Sequence, residues 1–129
     1  MAIDSGKGPG VLGVGGVFLR ARDPAALGRW YAENLGIAID PGWNGTALVG
    51  KDGDMTVFSL FSADNDYFDR AQAVMVNWRV ADLEAMRAWL IGRGVRVDDK
   101  VESSEFGKFG WAWDAEGNKL ELWQPPADA

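Results

Sequence analysis

The groups in this sequence that can do chemistry are mostly carboxylates, amines and hydroxyls, because its 129 residues include no cysteine and no histidine. Disulfide bonds, thiolate nucleophiles, zinc sites built from Cys and His, and Ser-His-Asp triads are therefore excluded. A bound metal would need oxygen ligands. Acid–base chemistry would be done by carboxylates, lysine or tyrosine.

Strand alternation places several polar groups and aromatic rings on one face of the predicted sheet. Where one side of a strand is aliphatic, we assign that side to the helices. The opposite side then carries the rings of Phe18, Phe61, Trp111, Trp113 and Trp123 and the polar groups of Arg20, Ser59, Asn77, Arg79 and Glu121. Apolar walls with a few oriented polar groups are typical of small-molecule sites.

Two predicted helices and several strands position these side chains. Each helix follows an aspartate, the preferred N-cap, and ends at a glycine, the usual C-terminal residue. Residues 62–70 are predicted to be a polar connection. The predicted elements are strands 14–21, 55–61, 72–80, 109–113 and 119–124, helices 24–35 and 83–93, and short extended pieces at 37–40, 46–49 and 95–98.

The strand–helix–strand order occurs twice, which indicates an internal repeat. At an offset of 59, five residues of the first copy are identical to their counterparts: Val17, Arg20, Asp23, Ala26 and Trp30 align with Val76, Arg79, Asp82, Ala85 and Trp89. Any two capped strand–helix units share some features, but five identities within fourteen residues favour duplication. Both aligned tryptophans are predicted to face the sheet.

Three stretches carry a resemblance to a known family: VFLRARDPAALGRWYAENLGI, VNWRVADLEAMRAWLIGRGVRV and FGWAWDAEGNKLELWQPP. They resemble the glyoxalase/bleomycin-resistance/dioxygenase superfamily, also called the vicinal oxygen chelate fold, and within it a bacterial glyoxalase-like subgroup. The resemblance implies an α+β fold of two βαβββ modules, whose strands form a curled, cup-shaped mixed sheet with the helices outside. It places one domain at 14–126, with modules at about 14–61 and 72–124. Residues 1–13 are rich in glycine and are predicted to form a flexible arm.

Metal-dependent members of that superfamily hold the metal with four side chains inside the cup. The resemblance maps these positions onto Gly16, Val57, Met75 and Glu121. Only Glu121 offers an oxygen ligand, and one carboxylate does not hold a divalent ion against water. We therefore expect no metal and no cofactor, and neither metal-dependent glyoxalase activity nor ring-cleaving dioxygenase activity.

The resemblance also suggests which carboxylates matter. Glu121 stands where the family places its chemistry, and residues 103–107 match a stretch that relatives use as a mobile flap. Glu105 in that stretch is thus a second candidate acid or base, although a plain surface loop is an equal alternative. Arg20 and Arg79 either contact a ligand or pair with a carboxylate such as Glu121.

The function expected from these features is metal-independent binding of a small, partly aromatic molecule in the cup, as in bleomycin-resistance-type sequestering proteins. The alternative is a glyoxalase-like isomerase or lyase that moves a proton with Glu121 or Glu105. A third possibility is a filled cup in a domain that acts through association. Relatives commonly dimerise, so a homodimer is expected.

Charge and hydropathy limit the remaining classes of partner and location. The net charge of −6 argues against nucleic acid, whose phosphates attract basic surfaces. No apolar run approaches the length of a membrane span, and no basic segment followed by an apolar one marks the N-terminus. The expected location is the cytoplasm, with no membrane contact.

Overall fold

A computed structural model describes residues 8–127 and confirms the predicted α+β class. Parallel and antiparallel strand pairs both occur. The chain divides into two compact units, residues 15–76 and residues 77–127 together with 8–14. The elements are β1 (Gly13–Ala21), α1 (Pro24–Leu35), β2 (Gly45–Val49), β3 (Met55–Ser62), β4 (Val74–Arg79), α2 (Leu83–Gly92), β5 (Val97–Ser104), β6 (Gly107–Trp113) and β7 (Lys119–Gln124).

In the first unit, β3 lies between β2 and β1. It runs parallel to β1, with Gly16 opposite Val57, and antiparallel to β2. Its core is a cluster of Phe18, Phe68 and Met75. The apolar residues that alternate along β1 and β3 therefore bury one side of this small sheet.

The first unit departs from the predicted βαβββ order, because only one isolated bridge, Asp40 to Gly45, stands where a strand was expected before β2. A tight turn explains this difference. The Asp40 carbonyl accepts from Asn44 N at 2.8 Å, and its carboxylate accepts from Gly42 N at 2.8 Å. Pro41, which has no N–H, follows directly and cannot extend a strand ladder.

In the second unit, the strand order is β4, β7, β6, β5. β4 runs parallel to β7, and the other two pairs are antiparallel. Val80, Leu83, Met86 and Leu122 form its buried core. Gly110 lies under α2, because an added Cβ would be 3.3 Å from Leu83. Gly110 therefore lies on the face opposite to Trp111, as strand alternation predicts.

The segment predicted to be flexible around residues 103–107 is a tight hairpin. β5 extends to Ser104, which pairs with Gly107, so only Glu105 and Phe106 form the turn. Gly107 has φ +112°, a conformation that favours glycine. The extended piece predicted at 95–98 covers only the start of β5. The rest was not predicted because VDDKVESS is almost entirely polar, as is common in strands at a sheet edge.

Both helix caps form as predicted. Asp23 accepts from Ala26 N at 3.1 Å, and Asp82 accepts from Ala85 N at 3.0 Å. Gly36 ends α1 in the left-handed conformation. These caps satisfy amides and carbonyls that have no partner within their helix. Neither helix in the described part of the chain has the length and apolar character needed to cross a bilayer.

The prediction that both aligned tryptophans face the sheet is correct for Trp89 and wrong for Trp30. Trp89 packs against the second core, whereas Trp30 is 51% exposed. In α1 it is Tyr31 that contacts the sheet, edge-on to Phe58 with a centroid distance of 5.0 Å. One residue is about 100° of helix rotation, so Trp30 lies toward the outside.

Part of the predicted Gly-rich arm, residues 1–7, lies outside the described residues. The remainder belongs to the second unit and contacts other residues of it. Leu12 N donates to the Arg79 carbonyl at 2.8 Å, and Gly8 lies against the indole of Trp89. Gly8 has φ +65°, and an added Cβ would be 2.5 Å from that indole. Glycine is therefore required there both for conformation and for space.

Candidate functional site

A buried carboxylate with two neutral donors forms the centre of the candidate site. Glu121 is 2% exposed. Its Oε1 accepts from Asn77 Nδ2 at 2.7 Å, and its Oε2 accepts from Trp111 Nε1 at 2.9 Å. Both donors lie directly opposite Glu121 on the neighbouring strands, β4 and β6. Strand register therefore brings together these three residues, which the sequence predicted on one face.

Asn77 carries an acceptor that has no hydrogen-bond partner among residues 8–127. This acceptor is its buried Oδ1, and the residue as a whole is 2% exposed. An unpaired buried polar atom costs about 1–3 kcal/mol, so such atoms are uncommon in folded proteins. A hydrogen-bond donor placed here would therefore meet two acceptors, the Glu121 carboxylate and Asn77 Oδ1.

Two lysines cover the ring of Trp111. The Nζ atoms of Lys100 and Lys119 each lie 5.7 Å from its ring centroid, within the range of cation–π attraction. Lys100 also donates to Glu102 at 2.9 Å, and this hydrogen bond raises the pKa of the Lys100 ammonium. Neither lysine was predicted from the sequence as a site residue. Alternation from Glu121 would have placed Lys119 on this face, whereas Lys100 lies in β5 beyond the extended piece predicted at 95–98.

The four positions that the resemblance mapped as metal ligands do not fit a divalent ion. Gly16, Val57 and Met75 have no oxygen ligand in their side chains. Both Glu121 oxygens accept hydrogen bonds from N–H groups, which a metal ion would have to displace. Among residues 8–127, no three acidic side chains lie close enough together to hold a metal.

Two other predicted site residues of the second unit, Arg79 and Trp123, donate hydrogen bonds to backbone carbonyls. Arg79 donates to the Val14 carbonyl at 3.2 Å. Trp123 stacks on Phe109 with centroids 6.1 Å apart, and its Nε1 donates to the Phe106 carbonyl at 2.8 Å. Trp123 thus anchors the hairpin turn of β5 and β6.

Glu105 lies at the exposed tip of that hairpin. Gly107, two residues after it, already precedes Trp111 by four positions, which is about 13 Å along a strand. At this separation along β6, the Glu105 carboxylate does not contact Glu121. The two predicted catalytic glutamates therefore lie in different environments, one exposed and one buried.

In the first unit, the predicted residues form an aromatic cluster and a guanidinium anchor. Phe18 stacks on Phe61 with centroids 5.4 Å apart, and Ser59 lies buried opposite Phe18. The Arg20 guanidinium donates to backbone carbonyls of the connection that follows β3 and lies 4.3 Å from the ring of Phe68. Phe68 is 2% exposed, although its segment was predicted to be a polar connection.

Trp113 lies apart from the buried carboxylate, at the end of β6. Its ring is 3.8 Å from the Arg96 guanidinium. It lines an open cavity of about 580 Å³ beside the end of α2. Trp113 and Trp111 lie on the same side of β6, as alternation predicts, and Lys119 Nζ lies near both rings. Only Trp113 of the two lines the cavity.

Two strand–helix–strand units, with a buried glutamate on the last strand of the second, are the architecture expected of the vicinal oxygen chelate superfamily. A comparison with protein families agrees: the family described as "Glyoxalase-like domain" matches residues 16–123. The chain belongs to this family, as the sequence resemblance implied. A comparison with curated proteins found no match.

Solved structures similar to this chain include methylmalonyl-CoA epimerases. The Mycobacterium tuberculosis enzyme has 20% identity and a TM-score of 0.67, with 90% of this chain and 89% of that chain covered. A variant of the Streptomyces coelicolor enzyme, in complex with 2-nitronate-propionyl-CoA, has 16% identity and a TM-score of 0.69, with coverage of 92% and 100%. Identities this low show a shared fold alone.

Proposed function

We propose that this protein binds, without a metal, a small molecule that has an aromatic part and a hydrogen-bond-donating group. The observation that carries the proposal is the unpaired Asn77 Oδ1 next to the Glu121 carboxylate. A ligand N–H or O–H group would satisfy the first acceptor and be attracted by the second. The ligand would be held and released unchanged, as a sequestering protein does.

Access to this site requires side chains to move, because Asn77 and Glu121 are each 2% exposed. The lysines over Trp111 have long, flexible side chains, and Lys100 is exposed. A planar ligand that displaces an ammonium from the indole would gain stacking in its place. Such a step predicts slow association and a change in tryptophan fluorescence.

Replacing Asn77 with leucine tests the proposal. The substitution removes the unpaired acceptor, so we expect at least about tenfold weaker binding of aromatic amines found by thermal-shift screening. Binding of their methyl isosteres should change little. The same substitution at exposed Asn34, Asn34→Leu, is the control. Equal affinity of Asn77→Leu and the unmodified protein for the amines would contradict the proposal, as would chemical conversion of the recovered ligand.

A second candidate function is proton transfer in a glyoxalase-like isomerase or lyase. It is favoured by the burial of Glu121, the one acidic side chain in the described part of the chain that is buried. Enzymes often use buried carboxylates as general acids or general bases. The similar epimerases make an isomerase reasonable. Turnover that disappears in Glu121→Gln, with the fold retained, would favour this candidate over sequestration.

We also propose that the protein forms a homodimer through β2. Within the first unit this strand pairs with β3 on one side and ends the strand order on the other. It exposes Leu48 and Val49, the latter to 66%. Beyond the bridge at Gly45, this edge is open to pairing with another strand, and an identical copy supplies one.

Size-exclusion chromatography with light scattering tests this interface. The protein should elute at twice the chain mass, and Val49→Lys should elute as a monomer, because a buried lysine opposes pairing at the edge. The control is Val101→Lys, at a valine on β5 in the other unit that is 38% exposed. A monomeric unmodified protein, or a Val49→Lys variant that stays dimeric, would overturn the assignment.

A further inference from the structure

The second unit contains an open cavity of about 580 Å³ that does not include Glu121. It lies where α2 ends, β5 begins and β6 turns into β7. Its volume is within the range of small-ligand sites, about 300–1,000 Å³. Its principal wall residues are Leu90, Val95, Arg96, Trp113, Asp114 and Leu120.

The cavity walls are largely apolar and aromatic. Leu90 and Leu120 belong to the apolar layer packed against the second core. Trp113 provides a flat surface at the end of β6. Arg96 covers this indole at 3.8 Å, and Lys119 Nζ lies 5.8 Å from the same ring. Two cations therefore stand beside one aromatic wall.

The guanidinium of Arg96 makes no salt bridge and no hydrogen bond with the described residues, and it is exposed. Asp114, the acidic group in the wall, is committed to its own turn. Its carboxylate accepts from the backbone N–H of Asn118 at 2.9 Å, from the Asn118 side chain at 3.0 Å and from Glu116 N at 2.9 Å. These bonds, led by the backbone N–H of Asn118, hold the pKa of Asp114 below its ordinary value.

The end of α2 does not oppose an anion strongly, although a helix C-terminus carries partial negative charge. Gly94 N donates to the Ile91 carbonyl at 3.0 Å, and Val95 N donates to the Leu90 carbonyl at 3.0 Å. Arg93 N also donates to the Trp89 carbonyl at 3.1 Å. The carbonyls of Trp89, Leu90 and Ile91 are thus occupied, which leaves fewer free carbonyls to repel an anion beside the Arg96 guanidinium.

We infer that this cavity binds a small organic anion, with its flat apolar body against the Trp113 wall and its carboxylate or phosphate on the Arg96 guanidinium. The planar, multidentate guanidinium matches either anionic group. The site goes beyond the function proposed above, because it lies elsewhere in the second unit and selects the opposite charge. Because the protein has a net charge of −6, anions are not attracted to its surface in general. Anion binding at this cavity would therefore depend on Arg96 and the residues around it.

Titration of the ¹⁵N-labelled protein with three probes, followed by NMR, tests the inference. The probes are 2-naphthoate, 2-naphthyl phosphate and neutral 2-naphthamide. We expect saturable shifts of the Trp113 indole N–H and the Arg96 amide with either anion, and at least tenfold weaker binding of the amide. The tighter anion identifies the preferred group. Absence of shifts at Trp113, or equal binding of the neutral amide, would overturn the inference.

The matched variants are Arg96→Gln and Arg93→Gln. Arg93 also lies over an indole, 5.4 Å from the ring of Trp89, but it does not line the cavity. Arg96→Gln should weaken anion binding at least tenfold, whereas Arg93→Gln should leave it unchanged. Equal losses of anion binding in both variants would mean that the anions respond to the net charge of the protein. That result would contradict a specific site at Arg96. Asn77→Leu should not affect these titrations, which keeps this test separate from that of the proposed function.

Discussion

Replacing Arg20 with alanine should lower the free energy of unfolding by about 2–3 kcal/mol and the melting temperature by roughly 10 °C. The guanidinium donates to six backbone carbonyls, those of Ser62, Ala63, Asn65, Phe68, Asp69 and Gln72. The shortest bonds are 2.6 Å to Asn65 and 2.7 Å to Phe68. Without the guanidinium, the connection between β3 and β4 loses the group that gathers these carbonyls, and Phe68 loses its cation–π contact.

Urea and thermal unfolding measure this effect, with Arg22→Ala as the control. Arg22 is two residues away and exposed, so its removal should change stability by less than about 0.5 kcal/mol. Arg20→Lys should recover little, because one ammonium cannot reach carbonyls spread around a planar guanidinium. A loss of stability in Arg20→Ala no greater than that in Arg22→Ala would refute the anchoring role.

The helices could be predicted from the sequence because their signals are local. Asp23 and Asp82 cap backbone amides three residues further on, and Gly36 needs only its own φ of 67° to end α1. Strand β5 could not be predicted in the same way. Its side chains are nearly all exposed and polar, so the apolar alternation that marks a half-buried strand is missing.

The face of each site residue was predictable, but its partner was not. Alternation placed Asn77, Trp111 and Glu121 together, since successive residues point to opposite sides. In β1 and β3 the mapped positions Gly16 and Val57 are direct partners, whereas in β4 and β7 the partner of Glu121 is Asn77 and not Met75. A shift of two residues leaves the face unchanged, so the hydrophobic pattern does not reveal it.

Arg20 shows a different limit of sequence analysis. Its expected partners were a ligand or a carboxylate such as Glu121, yet its hydrogen bonds go to main-chain carbonyls. Every residue carries such a carbonyl, so nothing in the residue types of the connection identifies it as the acceptor. Only the path of the chain after β3, which brings Asn65 and Phe68 back to β1, makes the anchor possible.

Replacing Glu121 with leucine should lower the free energy of unfolding by about 2–4 kcal/mol, whereas replacing it with glutamine should cost less than about 1 kcal/mol. Leucine leaves Trp111 Nε1 and Asn77 Nδ2 buried without the acceptors that they now have. Glutamine keeps an oxygen for Trp111. Its own NH₂ group can donate to Asn77 Oδ1 once that amide turns over, which is feasible because this oxygen has no present partner.

Chemical denaturation of both variants, alongside Asn77→Leu, separates a structural role from a functional one. If Glu121 serves only to satisfy its two donors, Glu121→Gln should weaken the binding of neutral and cationic donors equally, because the turned Asn77 amide no longer offers Oδ1 to either. If its negative charge attracts the ligand or moves a proton, Glu121→Gln should fold normally but lose cationic donors more than neutral ones, or lose turnover. A Glu121→Gln variant that unfolds as readily as Glu121→Leu would show that the ionised carboxylate itself, and not its hydrogen-bonding pattern, stabilises the second unit.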